Sequence, residues 1–210
     1  MATAPLKIVV LGATGMAGGR IVTEALTRGH HVTATARSHA QAPAHDRLNR
    51  LAADVTDPEV LPQAVAGADV VVSALPAQRV LPLLPRLTEQ VRTSGVRVAF
   101  VGGAGSLRHP DGGRVIDQPG FREEWKPEAS AHVELLDQLR TLPDDVDWTF
   151  LSPSALFLPG ERTTAFRIGG DDLLTDAEGA SRISAEDYAI ALLDEIETPA
   201  HRRRRFTVGY

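Results

Sequence analysis

The stretch Leu6-Lys7-Ile8-Val9-Val10-Leu11-Gly12-Ala13-Thr14-Gly15-Met16-Ala17-Gly18 decides the fold. Its apolar, β-branched first half predicts a strand, and Arg20 to Arg28 beyond it predicts a helix. Strand, glycine-rich turn and helix in that order form the context of a dinucleotide-binding turn. Gly12 permits the tight turn, Gly15 admits a pyrophosphate close to the backbone, and Gly18 lets the helix pack close to the sheet. Thr14, Met16 and Ala17 complete the expected contact set, at a helix N-terminus whose free N–H groups and dipole favour phosphate. The spacing is GxxGxxG rather than GxGxxG, and the plain alternative is an ordinary strand-to-helix turn.

Downstream, strands and helices alternate. His31–Ala36, Arg50–Ala53, Asp69–Leu75, Arg97–Val101 and Asp147–Leu151 read as strands, with Val70-Val71-Val72 the continuous run of a buried parallel strand. Asp57-Pro58 predicts a helix start with a cap and an N1 proline. Val80–Thr93, Pro127–Thr141 and the stretch from Ser184 to about Glu197 read as further helices, and Arg205–Val208 as a last strand. The expected fold is therefore α/β: a Rossmann-type, doubly wound parallel sheet of order 3-2-1-4-5-6 with helices on both faces, in one domain over residues 1–210. An irregular segment at about 152–180 is expected on the substrate side. A loop of about 25 residues, Gly102 to Lys126, carries six glycines and reads as functional or mobile.

Composition narrows the function. The chain has 210 residues, 43% of them hydrophobic, enough for a sizeable core. A net charge of −5 argues against nucleic acid as a general partner. The absence of cysteine excludes disulfides and thiolate chemistry and fits a reducing cytoplasm, the expected location. Met1 to Pro5 has neither a basic region nor a long apolar core, so no signal peptide is predicted. No stretch approaches the roughly 20 apolar residues of a membrane span. The expected partner is a planar small molecule, without nucleic acid or membrane, and the protein is expected as a monomer or homodimer. His201 to Arg205 reads as a solvated basic approach to the last strand, and Asp171, Asp172 and Asp176 as a solvated turn without metal.

Arg37 and Ser38 follow the second strand, where such folds meet the adenosine ribose. An acidic residue there accepts a 2′-hydroxyl, whereas an arginine holds a 2′-phosphate. Gly29 to His45 contains no Asp or Glu, so NADP(H) is expected over NAD(H). Asp54 and Val55 are expected at the adenine, and Ala74, Leu75 and Pro76 at a strand end where backbone approaches the cofactor.

The whole chain resembles the atypical short-chain dehydrogenase/reductase family. Within it, the similarity is to the compact NAD(P)H-binding branch that includes NADH-flavin reductases, the flavin/biliverdin reductase B type and NmrA-like proteins. The residues that carry the resemblance are Gly12–Gly18, Arg37-Ser38, Asp54-Val55, Val101 to Leu107, Asp147 to Pro153, and Arg182 to Ala189. It implies a nicotinamide site at Gly102, Gly103, Pro153 and Ser154. The Tyr-x-x-x-Lys pair of ordinary superfamily members is absent: the only tyrosines are Tyr188 and Tyr210, neither with a lysine four residues later. Simple alcohol–ketone interconversion is therefore disfavoured. Flavin-like acceptors (FMN, FAD or riboflavin as substrate rather than tightly bound) become the expectation, catalysed mainly by positioning.

His132 and Ser106 are the candidate proton-transfer or nicotinamide-facing residues. Trp125, Phe157, Arg162 and Phe166 are the candidate substrate contacts, with aromatics to stack on a flat ring and Arg162 to pair with an anionic tail. Two other readings stay open. One is an epimerase, dehydratase or ketoreductase using His132; the other is a non-catalytic NADP(H) sensor.

Overall fold

Ile8, Val9, Val10 and Leu11 are all buried, because their strand lies inside a sheet covered on both faces. The computed structural model describes residues 4–37, 45–57 and 59–210. Strand β1 (Lys7–Leu11) leads through the glycine turn into α1 (Met16–Thr27) and on to β2 (His31–Ala36) and β3 (Leu48–Ala52). Next come α2 (Val60–Val65), β4 (Val70–Ser73), α3 (Ala77–Ser94) and β5 (Arg97–Val101). Helix α4 (Lys126–Arg140) and β6 (Trp148–Ser152) follow, then β7 (Leu156–Leu158), β8 (Arg167–Gly169) and β9 (Arg182–Ser184). Helix α5 (Ala185–Glu197) and β10 (Arg204–Gly209) complete the order.

The main sheet runs β3-β2-β1-β4-β5-β6-β10-β8. The expected order 3-2-1-4-5-6 forms its body, all parallel, with Val9 opposite both Thr33 and Val71. Strand β10 adds in parallel to β6, and β8 closes the edge antiparallel to β10. Among the described residues, no helix is long and apolar enough to cross a membrane.

Two cores flank the sheet. Helices α2, α3 and α4 bury Leu61, Leu84, Leu87, Leu135 and Leu136 against one face, together with Phe100, Trp148 and Phe150. Helices α1 and α5 bury Ile21, Ala25, Tyr188, Leu192 and Leu193 against the other.

Several local expectations shift. Helix α3 starts at Ala77 rather than Val80 and continues through Pro82 and Pro85. The helix backbone bonds those prolines forgo, each a cost of about 3 kcal/mol, are offset by burial of Leu83, Leu84, Leu87 and Val91. Helix α2 starts at Val60; the Asp57 carboxylate instead accepts from the Glu59 N–H at 3.0 Å, and Pro58 lies outside the described residues. The Gly102–Lys126 stretch is ordered by two 3-10 turns, Val115–Asp117 and Glu123–Trp125, around buried Leu107, Val115 and Leu173.

The basic run is not solvated throughout. Arg205 is buried on Asp171, Arg203 bonds the carbonyls of Leu142 and Val146, and His201 pairs with Glu195. Charges beside a strand inside the sheet need partners, and Arg205 and Arg203 reach theirs at 34 to 61 positions away, while His201 finds Glu195 six positions back.

Candidate active site

The glycine turn is built around carbonyl contacts. Gly12 has φ +84°, a left-handed conformation that favours glycine, and a Cβ there would sit 2.8 Å from the Ala74 carbonyl oxygen. A Cβ on Gly18 would sit 2.2 Å from the Gly12 carbonyl oxygen. The close approach that Gly18 provides is thus of the helix to its own turn rather than to the sheet. The N–H groups of Gly12 and Ala13 donate to the Thr35 carbonyl, fixing the turn against the end of β2. No side chain caps α1, so its first-turn N–H groups remain available. Met16 and Ala17 open that helix, with Ala17 buried in the core.

Gly12, Thr14 and Gly15 wall a cavity of about 290 Å³ together with Arg37, Asp54, Val55, Ala74, Leu75 and Pro76. The sequence-derived cofactor residues from four separate strand ends therefore converge. Ser38 lies outside the described residues. Arg79, in the first turn of α3, also lines this cavity and was not foreseen, since a lone arginine on an amphipathic helix looks like any solvated one. Asp54 accepts from the Thr56 N–H at 3.0 Å and its hydroxyl at 2.8 Å; these bonds hold its carboxyl below the usual range, helped by Arg79 and Arg37. Uncapped helix N–H groups, bare glycine backbone and two guanidinium groups suit the phosphates and ribose of a dinucleotide.

A second cavity of about 810 Å³ opens beside the ends of β5 and β6. Gly102, Gly103 and Pro153 form its floor, Phe121, Trp125 and Phe157 supply aromatic wall, and His132 and Glu128 reach in from α4. Phe157 is held by the Tyr188 ring, with centroids 4.7 Å apart. Trp125 stays 47% exposed, edge-on to Phe121, with the Arg122 guanidinium 4.6 Å over its ring.

Glu128 ties the two cavities together and was also not foreseen. Its carboxylate accepts from the Ala77 N–H at the start of α3, directly after Pro76 of the first cavity, and lies 3.3 Å from His132 Nε2. Burial pushes its pKa up, but His132 and the Ala77 and Gln78 amides outweigh burial and hold it below the usual glutamate value. His132 Nδ1 is buried and has no hydrogen-bond partner among the described residues.

Three candidates sit differently from expectation. Arg162 makes two bonds to Glu24 on α1, at 3.0 and 3.1 Å, and does not line the aromatic cavity. Nearly buried Glu24 needs cations, and Arg162 and Arg28 both supply them. Phe166 packs on the α1/α5 core instead of the cavity. Ser106 turns toward Arg205, 3.4 Å away, and so is withdrawn from the cavity floor. The Ser154 hydroxyl is buried and donates to the Val208 carbonyl at 2.9 Å, leaving only backbone to face a ligand. Tyr188, fully buried, donates to the Leu151 carbonyl at 2.7 Å, and burial pushes its pKa up, so it transfers no proton to a ligand.

A family model described as NAD(P)H-binding matches residues 12–199. The chain belongs to the NAD(P)H-binding, atypical short-chain dehydrogenase/reductase family. Members of this family include similar proteins with several descriptions. A "3-diazoavenalumate denitrifying reductase" of Streptomyces is 30% identical over 93% of this chain and 73% of its own length. A structure from Streptococcus pneumoniae, described as a "putative NADH-flavin reductase", is 37% identical with TM-score 0.83, covering 97% of this chain and 99% of that one. A structure from Bacteroides thetaiotaomicron, described as a "putative epimerase", is 39% identical with TM-score 0.90, covering 98% and 97%. An NAD(P)H-binding family is consistent with the cavity walled by Gly12, Thr14 and Gly15.

Proposed function

We propose that this member of the family is an NADPH-dependent reductase acting on a flavin or a similarly flat, conjugated acceptor. The observation that carries the reading is the second cavity: aromatic walls meet the glycine floor beside the cofactor turn, and no tyrosine hydroxyl points in. Bound NADPH would supply a hydride to an acceptor ring nitrogen and become NADP⁺, with water as the source of the remaining proton. The protein's part is then to hold the flat ring and exclude water. Phe157, Trp125 and Phe121 supply the faces for it, while Gly102 and Gly103 leave the floor free of side chain. The described likenesses to a flavin reductase and to a denitrifying reductase support the same class of reaction.

Arg37 and Arg79, facing one cavity, support a preference for the 2′-phosphate. Calorimetry with NADPH and NADH tests this. NADPH should bind at least about tenfold tighter, about 1.4 kcal/mol, and Arg37→Ala should erase most of the difference. Equal affinities in the wild-type protein would overturn the preference. Oxidation of NADPH after adding riboflavin or FMN tests the reaction itself, and no rate above that of free NADPH would overturn it.

The Glu128–His132 pair favours a second reading, an epimerase-type enzyme on the same scaffold, in line with the likeness to the Bacteroides protein. His132→Ala abolishing turnover of a hydroxylated substrate, with cofactor binding intact, would favour that reading.

A further inference from the structure

We infer that the acceptor cavity selects uncharged flat rings and discriminates against phosphorylated ones, an inference that rests on the reductase reading above. Its charged lining consists of one arginine, Arg122, and two carboxylates, Glu124 and Glu128, besides the histidines His109 and His132. Arg122 is already engaged twice, by Glu124 at 2.5 Å and by the face of Trp125. That leaves the Glu128 carboxylate, which accepts from the Ala77 N–H and lies 3.3 Å from His132 Nε2, as the one carboxylate of the lining with no arginine or lysine beside it.

Cations close in sequence to the lining are engaged elsewhere, Arg108 by Asp172 and Arg114 by Asp117 among them. Arg162 is committed to Glu24, and Lys126 is paired with Glu123 at 2.6 Å and lines a different cavity. A phosphate monoester carries about −1.5 to −2 at neutral pH. Entering here, it meets a net negative lining across an apolar medium that screens poorly. A neutral ring of the same shape meets the aromatic walls without that penalty.

Riboflavin and FMN share one ring system and differ by the phosphate, so they isolate the effect. Equilibrium dialysis of each against the NADP⁺-loaded protein gives binding without turnover. Riboflavin should bind at least about tenfold tighter than FMN, about 1.4 kcal/mol. Glu124→Gln frees Arg122 and should narrow the ratio, whereas Arg122→Ala frees Glu124 and should widen it. Added salt should narrow the ratio in the wild-type protein.

FMN binding as tightly as riboflavin, or tighter, overturns the inference even if both flavins are reduced. Preferential riboflavin binding without reduction of either flavin upholds charge selection and overturns the reductase reading instead. Binding of neither overturns both.

Discussion

Glu195 is 4% exposed, yet its carboxylate gathers the guanidinium of Arg97, the ring and N–H of His201 and the N–H of Ala200. Burial pushes its pKa up, but the His201 amide and ring, Arg97 and the Ala200 amide outweigh it and hold the value below the usual 4.5. A carboxyl with a depressed folded pKa stabilises fully above its unfolded value. It loses that contribution as pH falls through the folded one. Thermal unfolding followed against pH should therefore fall off below about pH 4.5, and Glu195→Gln should flatten that limb. Glu195→Ala, which strands a buried Arg97, should cost about 3–5 kcal/mol in chemical denaturation at neutral pH. Gly103 makes a contrasting case. A Cβ there would lie 2.9 to 3.1 Å from the His132 side chain, so Gly103→Ala should displace that ring. A changed His132 resonance by NMR with little loss of cofactor affinity is the expected result.

At the scale of elements, the segment from Gly160 to Ala165 has no regular structure but is tied at every turn. Glu186 accepts from the Gly160 N–H at 2.8 Å, and Arg162 is held by Glu24. Buried Asp187 accepts from the Thr163 hydroxyl and from the N–H of Thr164, which it holds at φ +63° despite the branched side chain. The Tyr210 hydroxyl also donates to Asp187 at 2.9 Å and accepts from the Ser184 N–H. Tyr210→Phe should cost about 1.5–3 kcal/mol, since the acceptor is charged, and should speed proteolysis within residues 159–166 before global unfolding.

These tethers left no trace in the sequence. Arg162 and Glu24 stand 138 positions apart, and a lone loop arginine looks equally ready for a ligand. The long strands and amphipathic helices were legible because each carries its own period. Three-residue β7, β8 and β9 are too short to show one. The glycine turn was legible for a second reason: it packs its signature into seven consecutive residues, whereas Glu128 and Arg79 acquire meaning only from what other elements bring beside them.

For the whole molecule, the parallel body of the sheet fixes where the site lies. Both cavities open at strand ends around β1, β4, β5 and β6, so positions far apart in sequence face one another there. Interior strands should outlast the edges. Amide exchange should be slowest in β1, β4 and β5 and fastest in β3 and β8, and equal protection across the sheet would contradict this order. That β10 inserts between β6 and β8 was beyond the sequence, because a basic strand reads as a solvated one until Asp171 is seen to receive the charge of buried Arg205.

The chain's two tryptophans divide the same territory between them. Trp148 lies 2% exposed in the core, and Trp125 stands 47% exposed at the mouth of the aromatic cavity. Their fluorescence is in effect two separate instruments. The interior indole keeps a blue emission until the fold itself gives way, and the outer one dims or shifts when a ring comes to rest beside it. Replacing Trp125 by Phe leaves a protein whose light reports only on folding, and the difference between the two spectra is a direct optical record of occupancy.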